Sequence, residues 1–177
     1  MHNAGVDWTF YYHIWDQVCE RQHFEPFFSP AGVRAMLVHW NETPHRFGLF
    51  GVNEEVRPQY FVYQLIGRLG EERLQAHSDL PDVRAIAARG DGRVAVLAVN
   101  FDLHASRDLI LTLRFEELRA GKKRLTVYRI DADRRWCSEG LALRPTEQRE
   151  VDTGERFRCQ IYSPADSVAC AVLSDLD

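Results

Sequence analysis

The hydrophobic pattern changes period part-way along the chain. Residues 6–15 (VDWTFYYHIW) are almost continuously apolar, and residues 7–15 hold five aromatics. That density suits a strand covered on both faces, as in a parallel sheet. Residues 29–40 have helical spacing, with Ser29 as N-cap and Pro30 in the first turn. Residues 46–51 form a short connector. Residues 56–69 predict a strongly amphipathic helix. Pro58 opens it, Phe61, Leu65 and Leu69 recur on one face, and Gly70 stops it. Residues 1–5 read as the end of a helix and its turn. A lone strand with its helices leaves backbone groups unpaired. The first part of the chain therefore reads as the end of a larger fold.

The second half alternates with a period of two. Strands are predicted at residues 83–89, 93–101, 108–115, 124–131, 156–162 and 167–173, with a short additional one at 141–143. Arg89-Gly90-Asp91-Gly92 is a hairpin turn. The expected fold is mainly β: an antiparallel β-sandwich of six to eight strands preceded by a partial (β/α) barrel unit. The expected domains are residues 1–72, a partial barrel segment, and residues 73–177, the sandwich. No internal repeat or low-complexity segment interrupts this plan.

Composition narrows the classes of function. Hydrophobic content of 45% and charged content of 27% are ordinary for a globular chain of 177 residues. The net charge of −4 argues against non-specific nucleic-acid binding, which needs clustered cations. Lys122-Lys123-Arg124 is short, and it reads as a solvated turn before a strand. No run of apolar residues is long enough to span a bilayer, so no membrane partner is expected. The N-terminus lacks a signal-peptide pattern, which places the chain in the cytoplasm unless a targeting signal lies outside this sequence. The four cysteines are scattered, with no C-x-x-C pair, so no zinc site is expected. Cys159 and Cys170 fall in strand-like segments as buried thiols.

Three segments carry a resemblance. They are Tyr11-Tyr12-His13-Ile14-Trp15-Asp16, then Phe47-Gly48-Leu49-Phe50-Gly51, then Val56-Arg57-Pro58-Gln59-Tyr60-Phe61-Val62-Tyr63-Gln64-Leu65. Residues 6–70 resemble the end of a clan A (β/α)8 barrel glycosidase, most like the β-xylosidase and α-iduronidase family, glycoside hydrolase family thirty-nine. In that family an aromatic eighth strand ends in Trp and an acidic residue. A variable loop and a glycine-rich turn then open the eighth helix. The resemblance implies a sandwich after the barrel, matching the second half, that buttresses it. It also implies retaining hydrolysis by two glutamates ending strands four and seven. Both strands would precede Met1, so this chain is expected to hold no catalytic pair.

The resemblance implies substrate-facing roles for Trp15, Asp16 and His13, at the face where barrel active sites sit; the alternative is a core Trp15 with Asp16 capping the loop and a core His13. Trp15 can stack on a sugar ring, and Asp16 can accept hydroxyl hydrogen bonds. Asn41-Glu42 repeats the clan's acid/base dipeptide but falls in the loop after the eighth strand, where it reads as a helix terminus. His23, His39 and His45 match no metal-ligand spacing. No nucleophile elbow or phosphate loop is present. Trp136 near a strand end reads as a core or interface residue, with a sugar platform as the alternative. The expected function is the non-catalytic C-terminal portion of a retaining glycoside hydrolase. The alternatives are a carbohydrate-binding module, or a small stand-alone hydrolase using the loop of residues 15–42. No cofactor or metal is expected. The expected partners are carbohydrate and either a missing barrel portion or further copies of the chain, since residues 6–14 have high β propensity and no visible neighbours.

Overall fold

The computed structural model describes residues 11, 14–42, 47–134 and 143–176. The chain divides into two compact units, residues 1–60 and 61–177. The first holds α1 (Arg21–Phe24) and α2 (Pro30–Asn41). Ser29 Oγ accepts the Gly32 N–H at 3.3 Å, and Pro30 occupies the first turn, so α2 begins where its capping chemistry predicts. Most of residues 6–15 lie outside the described residues. Its end is visible: Trp15 forms a parallel bridge with Phe50, and Phe50 an antiparallel bridge with Val56. Helix α3 (Pro58–Ile66) is shorter than its apolar pattern, and runs across the boundary between the units.

The second unit is mainly β, with two antiparallel sheets. Its strands are β1 (Glu72–Leu74), β2 (Val83–Gly90), β3 (Arg93–Asn100), β4 (Leu109–Phe115), β5 (Gly121–Ile130), β6 (Glu147–Thr153), β7 (Phe157–Ser163) and β8 (Ser167–Asp175). One sheet has the order β1-β2-β3-β8-β5-β6; the other pairs β4 with β7. Between them lies a core that includes Val83, Ala98, Leu111, Phe115, Leu125, Val127, Ile161, Ala171 and Leu173, drawn from both sheets. Each fully buried aliphatic side chain there contributes about 1.5–3 kcal/mol. The arrangement is sandwich-like, and no closed barrel is formed among the described residues.

The central strands are buried on both faces. Ala95, Leu97, Cys170 and Val172 point away from the inter-sheet core, yet all are closed to solvent. The guanidinium of Arg68, just past α3, lies 4.6 Å from the centre of the Tyr128 ring, whose strand neighbour is Cys170. Phe61 and Leu65 of α3 are fully buried. The segment that follows α3 thus lies against the sheet, at Tyr128 and at the backbone of Arg89. Burial pushes the Cys170 thiol up to about 12 and that of Cys159 to about 11, with no disulfide between them.

The edge strands escaped the period-two reading. β1 has three residues, and β6 (EQREVDT) is exposed along most of its length. Short, charged edges limit pairing with other chains, and they carry no apolar signal. The basic run also differs from expectation. Lys122-Lys123-Arg124 lies inside β5, not in a solvated turn. Lys123 is only 6% exposed and its ammonium pairs with Asp175, its direct neighbour on β8. Alternation along β5 drives it to the core side, and the carboxylate makes that burial tolerable. The segment of residues 141–143 lies mostly outside the described residues.

Two turns show what their glycines do. Asp91 and Gly92 both have positive φ, 52° and 67°, so the hairpin that the sequence predicts closes through a two-residue type I′ turn. Gly70 is needed for a different reason from helix termination. A Cβ there would lie 2.0 Å from the backbone carbon of Arg89. Gly70→Ala is therefore expected to destabilise the chain by about 1–3 kcal/mol in urea unfolding, because backbone must move to admit a methyl group. Gly67→Ala, whose Cβ meets nothing closer than 3.5 Å, is the control and should leave the midpoint nearly unchanged. Equal midpoints for the two variants would refute the close-approach account.

Candidate functional site

The three segments that carry the resemblance meet at one carboxylate. Asp16 follows the exposed Trp15, yet is only 8% exposed itself. Its Oδ1 accepts the Gly48 N–H at 2.9 Å, and its Oδ2 pairs with the Arg57 guanidinium. Its own N–H donates to the Phe50 carbonyl at 2.9 Å. The same strand-like contact continues on both sides. Phe50 N–H donates to Ile14 O at 2.9 Å, and Arg57 N–H donates to Leu49 O at 3.0 Å. A carboxylate taken out of water this far needs charge-assisted partners, and Arg57 supplies one. Gly48 is fixed by this packing. A Cβ there would lie 2.8 Å from both Asp16 N and Asp16 Oδ1.

Trp15 stands at the surface of this knot. It is 51% exposed, and its ring stacks on Phe50 with centroids 4.6 Å apart and planes 23° apart. Phe50 in turn meets Tyr60 at 5.2 Å. The indole is thus backed by a second ring and presents surface to solvent. Backed, exposed indoles suit the apolar C–H face of a sugar ring. His13, the third predicted site residue, lies outside the described residues, as do His45 and Trp136.

Among the described residues, the acidic groups near Arg57 do not form an open catalytic pair. Glu55 Oε1 lies 3.7 Å from the same Arg57 nitrogen that pairs with Asp16. Two carboxylates sharing a guanidinium make an ion cluster. Glycoside hydrolysis instead needs one proton-bearing carboxyl and one free carboxylate across a substrate. Asn41 ends α2, and its amide clamps Cys19: Oδ1 accepts Cys19 N–H and Nδ2 donates to Cys19 O, both at 2.8 Å. Glu42 is the exposed C-cap residue that follows. His23 Nδ1 accepts the Glu20 N–H at 2.9 Å, a capping role. No group of three metal-ligating side chains occurs among the described residues.

The second unit offers less to a sugar. Tyr162 is exposed, but Arg129 lies over its ring at 4.9 Å and its hydroxyl donates to Asp108 at 2.6 Å. That bond, with one from the Ala165 N–H, holds the Asp108 carboxyl below its ordinary range. A cleft of about 530 Å³ beside the β2–β3 hairpin is lined by ion pairs, Arg89 with Glu72 and Lys123 with Asp175 among them. Two of its cations, Arg89 and Lys123, are thus paired within the cleft. Arg57 and Gly48 were legible only as members of a motif; nothing in their own spacing pointed to Asp16.

No family model matches the chain, and no curated protein matches it. Solved structures of glycoside hydrolases do. A monomeric β-xylosidase from Caulobacter crescentus is similar at 20% identity and a TM-score of 0.58, over 74% of this chain and 33% of that one. The GH39 enzyme from Xanthomonas axonopodis pv. citri aligns at 16% identity and 0.59, over 75% and 33%. A glucosidase from Croceicoccus marinus aligns at 16% and 0.58, over 73% and 34%. At such identities the likeness is one of fold, and the chain spans about a third of the length of these structures. The resemblance read from residues 6–70 and the fold likeness point to the same group of proteins.

The knot has a direct test. Gly48→Ala forces Asp16 or Phe50 to shift, and is expected to speed amide exchange at Asp16 and Phe50 about tenfold or more, the equivalent of about 1.4 kcal/mol of local stability. Amides of β3 should be unchanged. Full protection at Asp16 in the variant would show that the close packing at Gly48 is not needed.

Proposed function

We propose that this chain is the non-catalytic C-terminal portion of a retaining glycoside hydrolase, contributing an aromatic sugar subsite but no acid/base pair. One observation carries the reading: the three resemblance segments converge on Asp16 and leave Trp15 backed and exposed. The fold likeness to glycoside hydrolases three times as long supports it. In this reading Trp15 is the platform and Asp16 anchors the turn that holds it. The neighbours include a β-xylosidase and a glucosidase, so the ligand class is a pyranose chain and not one particular sugar.

The isolated chain is then expected to hydrolyse neither p-nitrophenyl β-xyloside nor p-nitrophenyl β-glucoside above the uncatalysed rate. Turnover that disappears in Asp16→Ala would overturn the proposal in favour of a stand-alone hydrolase.

The first unit also exposes Ile14, Val18, Phe27, Phe28, Val38 and Phe47, with Phe27 79% exposed. Apolar surface on this scale ordinarily meets a partner. We assign that partner as the remaining barrel portion; in its absence the chain is expected to self-associate. Light scattering should give a mass above that of one chain, falling as the protein is diluted. A monomeric mass at tens of micromolar would remove the need for any partner.

A further inference from the structure

We propose that Arg57 is a positioning residue for Trp15, acting through the Asp16 carboxylate; the functional meaning of this role rests on the platform reading above. The chain of contacts is short and each link is directional. Arg57 reaches Asp16 Oδ2 with its side chain and Leu49 O with its N–H. Asp16 carries the load onward, taking the Gly48 N–H on Oδ1 and giving its own N–H to Phe50 O. Phe50 then both stacks on the Trp15 ring and donates its N–H to Ile14 O, on the other side of Trp15. The residue that bears the platform is therefore bracketed by bonds at Ile14 and Asp16, and its ring is fixed from below by Phe50.

Arg57 is placed to close this circuit. Its side chain is only 14% exposed, while Glu55 Oε1 stands 3.7 Å from the same terminal nitrogen. The Glu55 side chain is tied to the turn through the Asn53 N–H, which Oε2 accepts at 3.0 Å. The guanidinium thus bridges the turn before α3 to the end of the strand that bears Trp15. Pro58 follows immediately and restricts the Arg57 backbone to extended conformations. The charge is presented from a backbone that has little freedom to drift. Removing Arg57 leaves a buried carboxylate without its cation, and relief comes by moving Asp16 toward water, which drags Trp15 off Phe50. A lysine retains the charge but not the planar fork, and it should restore most of the effect, because a single guanidinium nitrogen serves both carboxylates.

The test uses acrylamide quenching in the full chain. The signal of Trp15 is isolated as the difference between each background and the same background carrying Trp15→Phe. The Trp15 quenching constant is expected to rise about twofold in Arg57→Ala and to return near the parental value in Arg57→Lys, as loss and recovery of a charge-assisted bond require. Should Arg57→Ala fail to fold, Asp16→Asn removes the same ion pair while keeping an oxygen for Gly48 N–H, and the same rise is expected. A parental quenching constant in a folded Arg57→Ala or Asp16→Asn chain overturns the positioning role. Titration with xylohexaose separates the two readings. A fluorescence response abolished by Trp15→Ala, weakened about fivefold in Arg57→Ala and regained in Arg57→Lys supports both. A response abolished by Trp15→Ala but equal in Arg57→Ala overturns positioning alone. A response indifferent to Trp15, or none, overturns the platform reading, and the quenching constants then decide the positioning role by themselves.

Discussion

A carboxylate cannot leave water without an answering charge, and Asp16 is the point where that constraint shapes the first unit. Its two oxygens gather a glycine N–H from one segment and a guanidinium from another. Residues 14–16, 47–51 and 55–57 are distant in sequence and short, and none could hold its conformation alone. A shared buried ion pair with a neutral donor gives them one arrangement. The cost of burying the pair is offset only if the geometry is kept, so the carboxylate acts as a specificity device for the turn and not as a large source of stability. The exposure of Trp15 follows from this. The side chain before a tethered Asp is forced outward, and Phe50 is brought under it by the same backbone bonds.

The second unit obeys a different constraint. A six-stranded sheet with a two-stranded sheet on one face leaves much of its other face to be covered. Small side chains there, Ala88, Ala95 and Cys170 among them, are closed to solvent. Gly70 belongs to the same solution, since the chain leaving α3 must pass against the backbone of Arg89. At the far end Asn100, fully buried, donates to the carbonyls of Arg107, Ser163 and Pro164, and so ties the β3–β4 loop to the β7–β8 turn. Burial would raise the Asp131 carboxyl, but Arg129 and the N–H groups of Asp133 and Arg134 hold it below its ordinary range, fixing the exit from β5. These are stabilising devices at both ends of a sandwich. None presents free chemistry to a substrate.

The functional picture rests on this division. Among its described residues the first unit has a backed, exposed indole at Trp15, and its two carboxylates beside Arg57 are held in one ion cluster. In the second unit the amide nitrogen of Asn100 and the carboxylates of Asp108, Asp131 and Asp175 are all taken up by partners within the unit. Glycoside hydrolase structures that share the fold are about three times longer than the portion matched here.

The capping pair Ser29-Pro30, the Asp91-Gly92 hairpin and the central strands were legible because each is a local rule written in adjacent residues. The sheet edges were not, because β1 and β6 are strands by virtue of what lies beside them, and their charged sequences avoid the signal that would reveal them. Lys123 misled for the same reason: a basic residue reads as solvated unless its cross-strand neighbour, fifty-two positions away, is known. The sequence by itself determined the capped helix, the central strands and their hairpin, the change of period and the three segments worth comparing. Only the tertiary structure decided that those segments close on Asp16, that Arg57 supplies its charge and that Gly48 must lack a side chain, because a buried ion pair is set by distances in space, which no spacing along the chain encodes.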